Sequence, residues 1–152
     1  IYLVFSTLHT NTASQTINRI IDSFPASQQD QIRVQLAGSM TGIFSQRLIP
    51  RISGGLIPAY ELLINNSAVA NLIREKRIHE INTVIETSSA EGMIDMNRSL
   101  AELVRRGEIS PDNAYINSAN PKNTSIRRKI YFLSSFYLFF KFGPQFIRIK
   151  KI

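Results

Sequence analysis

Cysteine and tryptophan are both missing from these 152 residues. Without thiols there is no disulfide and no cysteine-held zinc site, and the chain fits a reducing, cytoplasmic compartment. Acidic residues are missing from residues 120–152, where eight Lys or Arg face none, whereas residues 1–119 carry ten bases against eleven acids. The net charge of +7 and the pI of about 10.1 therefore belong to the tail and describe no nucleic-acid-binding face. Long apolar runs are absent as well. Residues 130–140 fall short of the ~20 needed to span a bilayer, and Lys141 and Gly143-Pro144 interrupt any extension. Residues 1–5 lack both the basic leader and the apolar length of a signal peptide. The first residue is Ile1 rather than Met, and a chain that starts inside a strand reads as a fragment.

What is present is a hydrophobic content of 43%, enough for one domain with a real core. The tail differs in kind, with eight of the fourteen aromatics in residues 130–152. It reads as a non-native extension with no selected function; a basic, aromatic segment lying on an anionic membrane is the other reading.

In chain order, Ile1, Tyr2, Leu3, Val4 and Phe5 form a short β-rich apolar run, expected to be a buried strand. Ala13, Ile17, Ile20, Ile21 and Phe24 then mark one face of a helix stopped by Pro25. Ser27 with Asp30 suggests a capped start for a second helix with a stripe of Ile32, Leu36, Met40, Ile43, Phe44 and Leu48, on which Gly38 and Gly42, four apart, permit close packing of a neighbour. Two apolar runs, 48–52 and 56–64, flank Gly54-Gly55 and predict a β-hairpin. Asn65-Asn66-Ser67 caps a helix with Val69, Leu72 and Ile73 inward. Ile78, Ile81 and Ile85 mark another stripe, and Met96, Leu100, Leu103 and Val104 a third, ended by Gly107. Ser110-Pro111 opens the last helix.

One stretch looks built for chemistry. Behind the apolar run come Ser6, Thr7, His9, Thr10, Asn11 and Thr12, placed where open α/β sheets bind ligands, beyond the carboxyl end of a strand. The plainer reading is that Thr10, Asn11 or Thr12 caps the following helix and His9 is an ordinary loop histidine. On periodicity alone, Arg74 and Glu75 are a solvated charge pair at a helix end, with Asn71 facing outward and His79 as a surface partner of Glu75.

Residues 4–13, Val-Phe-Ser-Thr-Leu-His-Thr-Asn-Thr-Ala, resemble the histidine box of the secretion ATPase superfamily, and in particular of its type IV pilus retraction, or twitching-motility, branch. Further likenesses follow in the family's order over residues 2–120. They are Ser45-Gln46-Arg47-Leu48, Ala59-Tyr60-Glu61, the retraction signature at residues 68–75, Gly92-Met93, residues 99–103, and Gly107-Glu108-Ile109. Two departures stand out: Tyr2 where the family has a second box histidine, and Ala70 where it often has Arg. Extension and type II secretion ATPases carry a four-cysteine insert after the Gln-Arg-Leu segment, and this chain does not, which favours the retraction branch.

The resemblance implies an α/β fold: part of a RecA-like ATPase core over residues 1–65, comprising a strand, helices and a β-hairpin, then a helical C-terminal subdomain over 66–119 and the tail over 120–152. It implies that His9 is catalytic, sensing the terminal phosphate of ATP, with Thr7 and Thr10 adding hydroxyls beside the nucleotide. It further implies that Asn71, Leu72, Ile73, Arg74 and Glu75 couple ATP turnover to retraction. ATP and Mg²⁺ serve the intact protein, a homo-hexamer in the cytoplasm at the inner-membrane pilus platform, with no resident metal site and no nucleic acid.

Phosphoryl transfer also needs a backbone cradle, a lysine and carboxylates. No G-x-x-x-x-G-K-S/T occurs among the seven glycines, and no acid precedes Asp22, so the chain alone is expected neither to bind ATP tightly nor to hydrolyse it. The competing expectation is a non-enzymatic helical interaction module, membrane-attached through its tail.

Overall fold

The computed structural model describes residues 4–118. In order these are helices α1 (Ala13–Asp22) and α2 (Gln29–Ser39), strands β1 (Gly42–Pro50) and β2 (Leu56–Ile64), then helices α3 (Ser67–Arg74), α4 (Ile81–Thr87), α5 (Met96–Arg105) and α6 (Pro111–Ile116). Ile78–Glu80 and Ser89–Glu91 are single 3₁₀ turns. Ile1, Tyr2, Leu3 and the aromatic tail lie outside the described residues.

The described residues form two compact units, residues 4–46 with Tyr60–Asp95, and Arg47–Ala59 with residues 96–118. The hairpin belongs partly to each. In the first unit, Ile17 and Ile21 of α1, Leu63 of β2, Val69 and Ile73 of α3, Ile78, Ile81, Ile85 and Met93 make a continuous apolar core. Leu62 of β2 pairs with Ile94 through an N–H to carbonyl bond in each direction, 2.8 and 3.2 Å. In the second unit, Ile49, Ala59, Met96, Leu100, Leu103, Val104, Ile109 and Ala114 make a smaller core. The helical stripes expected around Val69, Ile81 and Leu100 are therefore the buried faces.

Capping explains where α3 and α6 begin. Asn66 accepts the Val69 N–H at 3.0 Å and opens α3, and Ser110 accepts the Asn113 N–H at 3.2 Å and opens α6, with Pro111 in its first turn. Gly107 follows α5 at φ 72, the left-handed conformation that ends a helix.

Two expectations need correction. The second helix ends at Ser39 and its start has no side-chain cap, with Gln28 rather than Ser27 at the N-cap; Ile43, Phe44 and Leu48 lie on β1. The strand alternates correctly, burying positions 43, 45, 47 and 49 to varying degree. Two of those inward positions are Ser45 and Arg47, so the apolar residues that remain mimic a helical stripe. Gly42 is needed for close approach, but by a strand: a Cβ there would stand 2.6 Å from the Leu63 carbonyl oxygen, whereas one at Gly38 meets nothing within 4 Å.

Val4 and Phe5 belong to no strand and are 80% and 88% exposed, so the described end of the expected buried strand is neither paired nor buried. A strand needs a neighbour for its backbone groups, and the described sheet has only two strands, β1 and β2.

Candidate functional site

All the sequence-chosen site residues lie in the first unit. The loop 4–12 enters α1 through Thr12, which is extended (φ −144, ψ 158) and accepts the Gln15 N–H at 3.3 Å. Gln15 reaches back, its Oε1 accepting the Asn11 N–H at 3.2 Å, in the reciprocal manner of a capping box. The capping reading is thus correct for Thr12. Thr16 donates to the Thr12 carbonyl at 3.0 Å and meets the Thr10 hydroxyl at 2.6 Å. The Thr10–Thr16 contact, in which either hydroxyl can donate, ties the loop to the first turn of α1.

His9 is exposed on the outer side of this loop, beside an open hollow of about 390 Å³. Thr10, Asn11 and the outward face of α1, namely Gln15, Asn18, Arg19 and Asp22, complete its lining. Thr7 is exposed and is not part of it. The imidazole, the guanidinium and the side-chain amides are donors suited to phosphate oxygens, and Asp22 puts one carboxylate among them. The hollow offers one wall for an anion. Among the described residues no three His, Asp or Glu side chains converge as a metal ion would require.

Glu61, part of the Ala59-Tyr60-Glu61 likeness but not among the site residues expected from the sequence, stands behind the loop. It is an acid at an inward position of β2, between Ala59 and Leu63, and only 5% exposed. Its Oε1 accepts the buried Ala13 N–H at 2.8 Å, at the first residue of α1. The available signal was a lone carboxylate in a strand at a position whose alternation points inward.

The segment 71–75 is the last turn of α3 and its C-cap. Ile73 is fully buried in the core, Leu72 packs against that core, and Asn71, Arg74 and Glu75 are exposed. Arg74 and Glu75 are not a pair: Arg74 donates to the Asn71 side chain at 2.9 Å, and Glu75 accepts from Arg77 at 2.9 Å. Arg77 also grips Glu80 at 2.6 and 2.7 Å, which holds the Glu80 carboxyl below its ordinary range. His79 faces Glu80 at 3.5 Å rather than Glu75, because Glu75 is turned toward Arg77. Between them Lys76 adopts φ 63, left-handed for a residue other than glycine, and its ammonium lies 2.7 Å from Asp30 of α2. That contact holds the Asp30 carboxyl below its ordinary range, with a smaller pull from Arg33. None of residues 71–75 lines the hollow beside His9.

The chain is 44% identical over 125 residues to a twitching motility protein of Neisseria gonorrhoeae, covering 82% of this chain and 33% of that one. It is 39% identical over 122 residues to the type IV pilus retraction ATPase PilT of Pseudomonas aeruginosa, covering 80% of this chain and 36% of the relative. The chain is homologous to the pilus-retraction ATPases. It spans about a third of the length of these curated relatives. A crystal structure of the pilus retraction motor PilT with bound ADP superimposes with a TM-score of 0.71 at 45% identity, over 80% of this chain and 34% of that one. The mixed helix-and-strand architecture described above therefore resembles about a third of that motor's fold. A search against protein-family models gives no match.

Proposed function

We propose that this chain is the carboxyl-terminal part of a hexameric ATPase that powers type IV pilus retraction and twitching motility, working in the cytoplasm at the inner-membrane base of the pilus. The observation that supports this most is the 44% identity to a twitching motility protein over 82% of the chain. The exposed histidine at an open, donor-lined hollow agrees with it.

In this reading His9, with Thr7 and Thr10 on the same loop, faces the terminal phosphate of ATP held with Mg²⁺ by the rest of the motor. Bound nucleotide supplies the phosphate whose loss releases the work. His9 donates a hydrogen bond to a phosphate oxygen, Arg19 adds positive charge, and Thr10 aligns the loop through Thr16. Asn71, Leu72, Ile73, Arg74 and Glu75 transmit turnover to retraction, anchored through Ile73 in the core and turned outward at Arg74 and Glu75. With no G-x-x-x-x-G-K-S/T cradle and one wall of a hollow, the chain by itself neither holds ATP tightly nor hydrolyses it.

The test is a graft of residues 4–118 in place of the homologous segment of Pseudomonas PilT, scored for twitching in a strain lacking that protein. Twitching restored by the graft and abolished by His9→Ala in it supports the reading. A correctly expressed graft that never twitches, or one indifferent to His9→Ala, overturns it.

A further inference from the structure

The hydrogen bond between Glu61 and Ala13 joins two parts of the first unit that lie 48 residues apart. The geometry points to Glu61 as a positioning residue: its carboxylate fixes the first turn of α1 to β2 and thereby sets where the loop carrying His9 and Thr10 stands. Ala13 is fully buried, and its N–H belongs to the set at a helix start that has no acceptor within the helix. Thr12 supplies an acceptor for Gln15, and Glu61 supplies one for Ala13. A carboxylate also suits the positive end of the α1 dipole.

The carboxyl end of the same strand is fastened too. Four residues after Glu61, the Asn65 amide donates to the Ala37 and Met40 carbonyls at 3.0 and 2.7 Å, and Asn66 caps α3. β2 is in this way a strut with the His9 loop tied near its middle and the end of α2 tied just beyond it, where α3 begins. A glutamine at 61 keeps an acceptor oxygen of nearly the same reach, an aspartate is one methylene too short, and an alanine has no acceptor.

The experiment is amide hydrogen exchange and backbone relaxation by NMR on the full 152-residue chain, comparing wild type with Glu61→Gln, Glu61→Asp and Glu61→Ala. Exchange at Ala13 is expected to quicken roughly tenfold or more in the alanine and aspartate variants. Residues 9–12 are expected to become more mobile in those variants while Ile81 and Ile85 keep their protection, and glutamine is expected to restore both readings. Ala13 exchange indifferent to all three changes overturns the proposal. So does a uniform loss of protection in all three variants with no selective loosening of 9–12, which marks Glu61 as a generic core residue.

The functional consequence rests on the proposed motor reading and is read in the PilT graft, where Glu61→Ala is expected to impair twitching and Glu61→Gln to rescue it. NMR loosening together with a wild-type graft that fails to twitch leaves the positioning role standing and removes the motor reading. NMR loosening in a twitching graft indifferent to Glu61→Ala overturns the link to function.

Discussion

The two halves of the hairpin are secured by different means. In the first unit, its open end is held by shape and neutral hydrogen bonds: Gly42 lies under the Leu63 carbonyl, the Asn65 N–H donates to Thr41 at 3.0 Å, and the Asn65 side chain holds two carbonyls at the end of α2. In the second unit, its turn is held by charge and backbone: Arg51 donates to Glu108 through Nε and Nη2, Ile52 N–H donates to the Glu108 carbonyl at 2.9 Å, and Arg47 donates to the Asn117 carbonyl at 2.7 Å. The first kind of attachment tolerates no added volume and ignores salt. The second includes an ion pair and responds to ionic strength.

The largest effect expected is from emptying the cores. Ile81→Ala in the first unit and Leu100→Ala in the second should each cost about 2–5 kcal/mol in urea unfolding, the spread reflecting how far each site collapses. Native-state hydrogen exchange, read at residues of each unit, tells whether the loss stays within the unit that carries the change. Gly42→Ala comes next, at about 1–3 kcal/mol, because the new methyl meets backbone that cannot move aside; a neutral result would break the claim that shape secures this end. Removing a cap by Ser110→Ala should cost ~1 kcal/mol and fray α6 alone. Arg51→Ala should cost less than about 1 kcal/mol for its ion pair, since both partners are partly exposed, and the loss should shrink in high salt. Equal salt sensitivity of Gly42→Ala and Arg51→Ala would erase the distinction between the two attachments.

The smallest effect is a pH dependence in α5. Glu102 accepts from Arg105 and from Arg106, and these contacts hold its carboxyl at about 2. A carboxylate whose folded value is depressed adds stability above its ordinary range near 4.5, and that contribution is lost as the pH falls from there toward 2. Glu102→Gln should therefore flatten the acid side of the stability profile in that window and change little at neutral pH. Because Glu102 is more than a third exposed, solvent screening keeps the amplitude small.

The same division explains what could be seen in the sequence. Helices with local signatures were legible, because Asn66, Ser110 with Pro111, and Gly107 act within one turn of themselves. The hairpin turn was legible for the same reason, with Gly54 and Gly55 both left-handed. The start of β1 was hidden, because two inward positions hold the polar Ser45 and Arg47, the latter for the sake of a partner far along the chain, the Asn117 carbonyl. Val4 and Phe5 misled in the opposite direction: an apolar run states a preference for burial but cannot supply the surface that buries it. At the candidate site, the loop and its histidine could be located from residue order, whereas Glu61 could not, since its bond to Ala13 crosses 48 residues. The partners of Glu75 and His79 were missed because residue spacing names the neighbours within reach without choosing among them.

Lys76 holds φ 63, a backbone shape that glycine adopts freely and a lysine only at a cost of ~1 kcal/mol or more. The chain thus keeps a long amine at a corner where the least encumbered residue would rest more comfortably, and that amine reaches Asp30 on another helix. Such a corner stores a preference for being undone: a glycine there would relieve the twist and drop this exposed tether at one stroke, while α3 would stay joined to α2 through the apolar core they share.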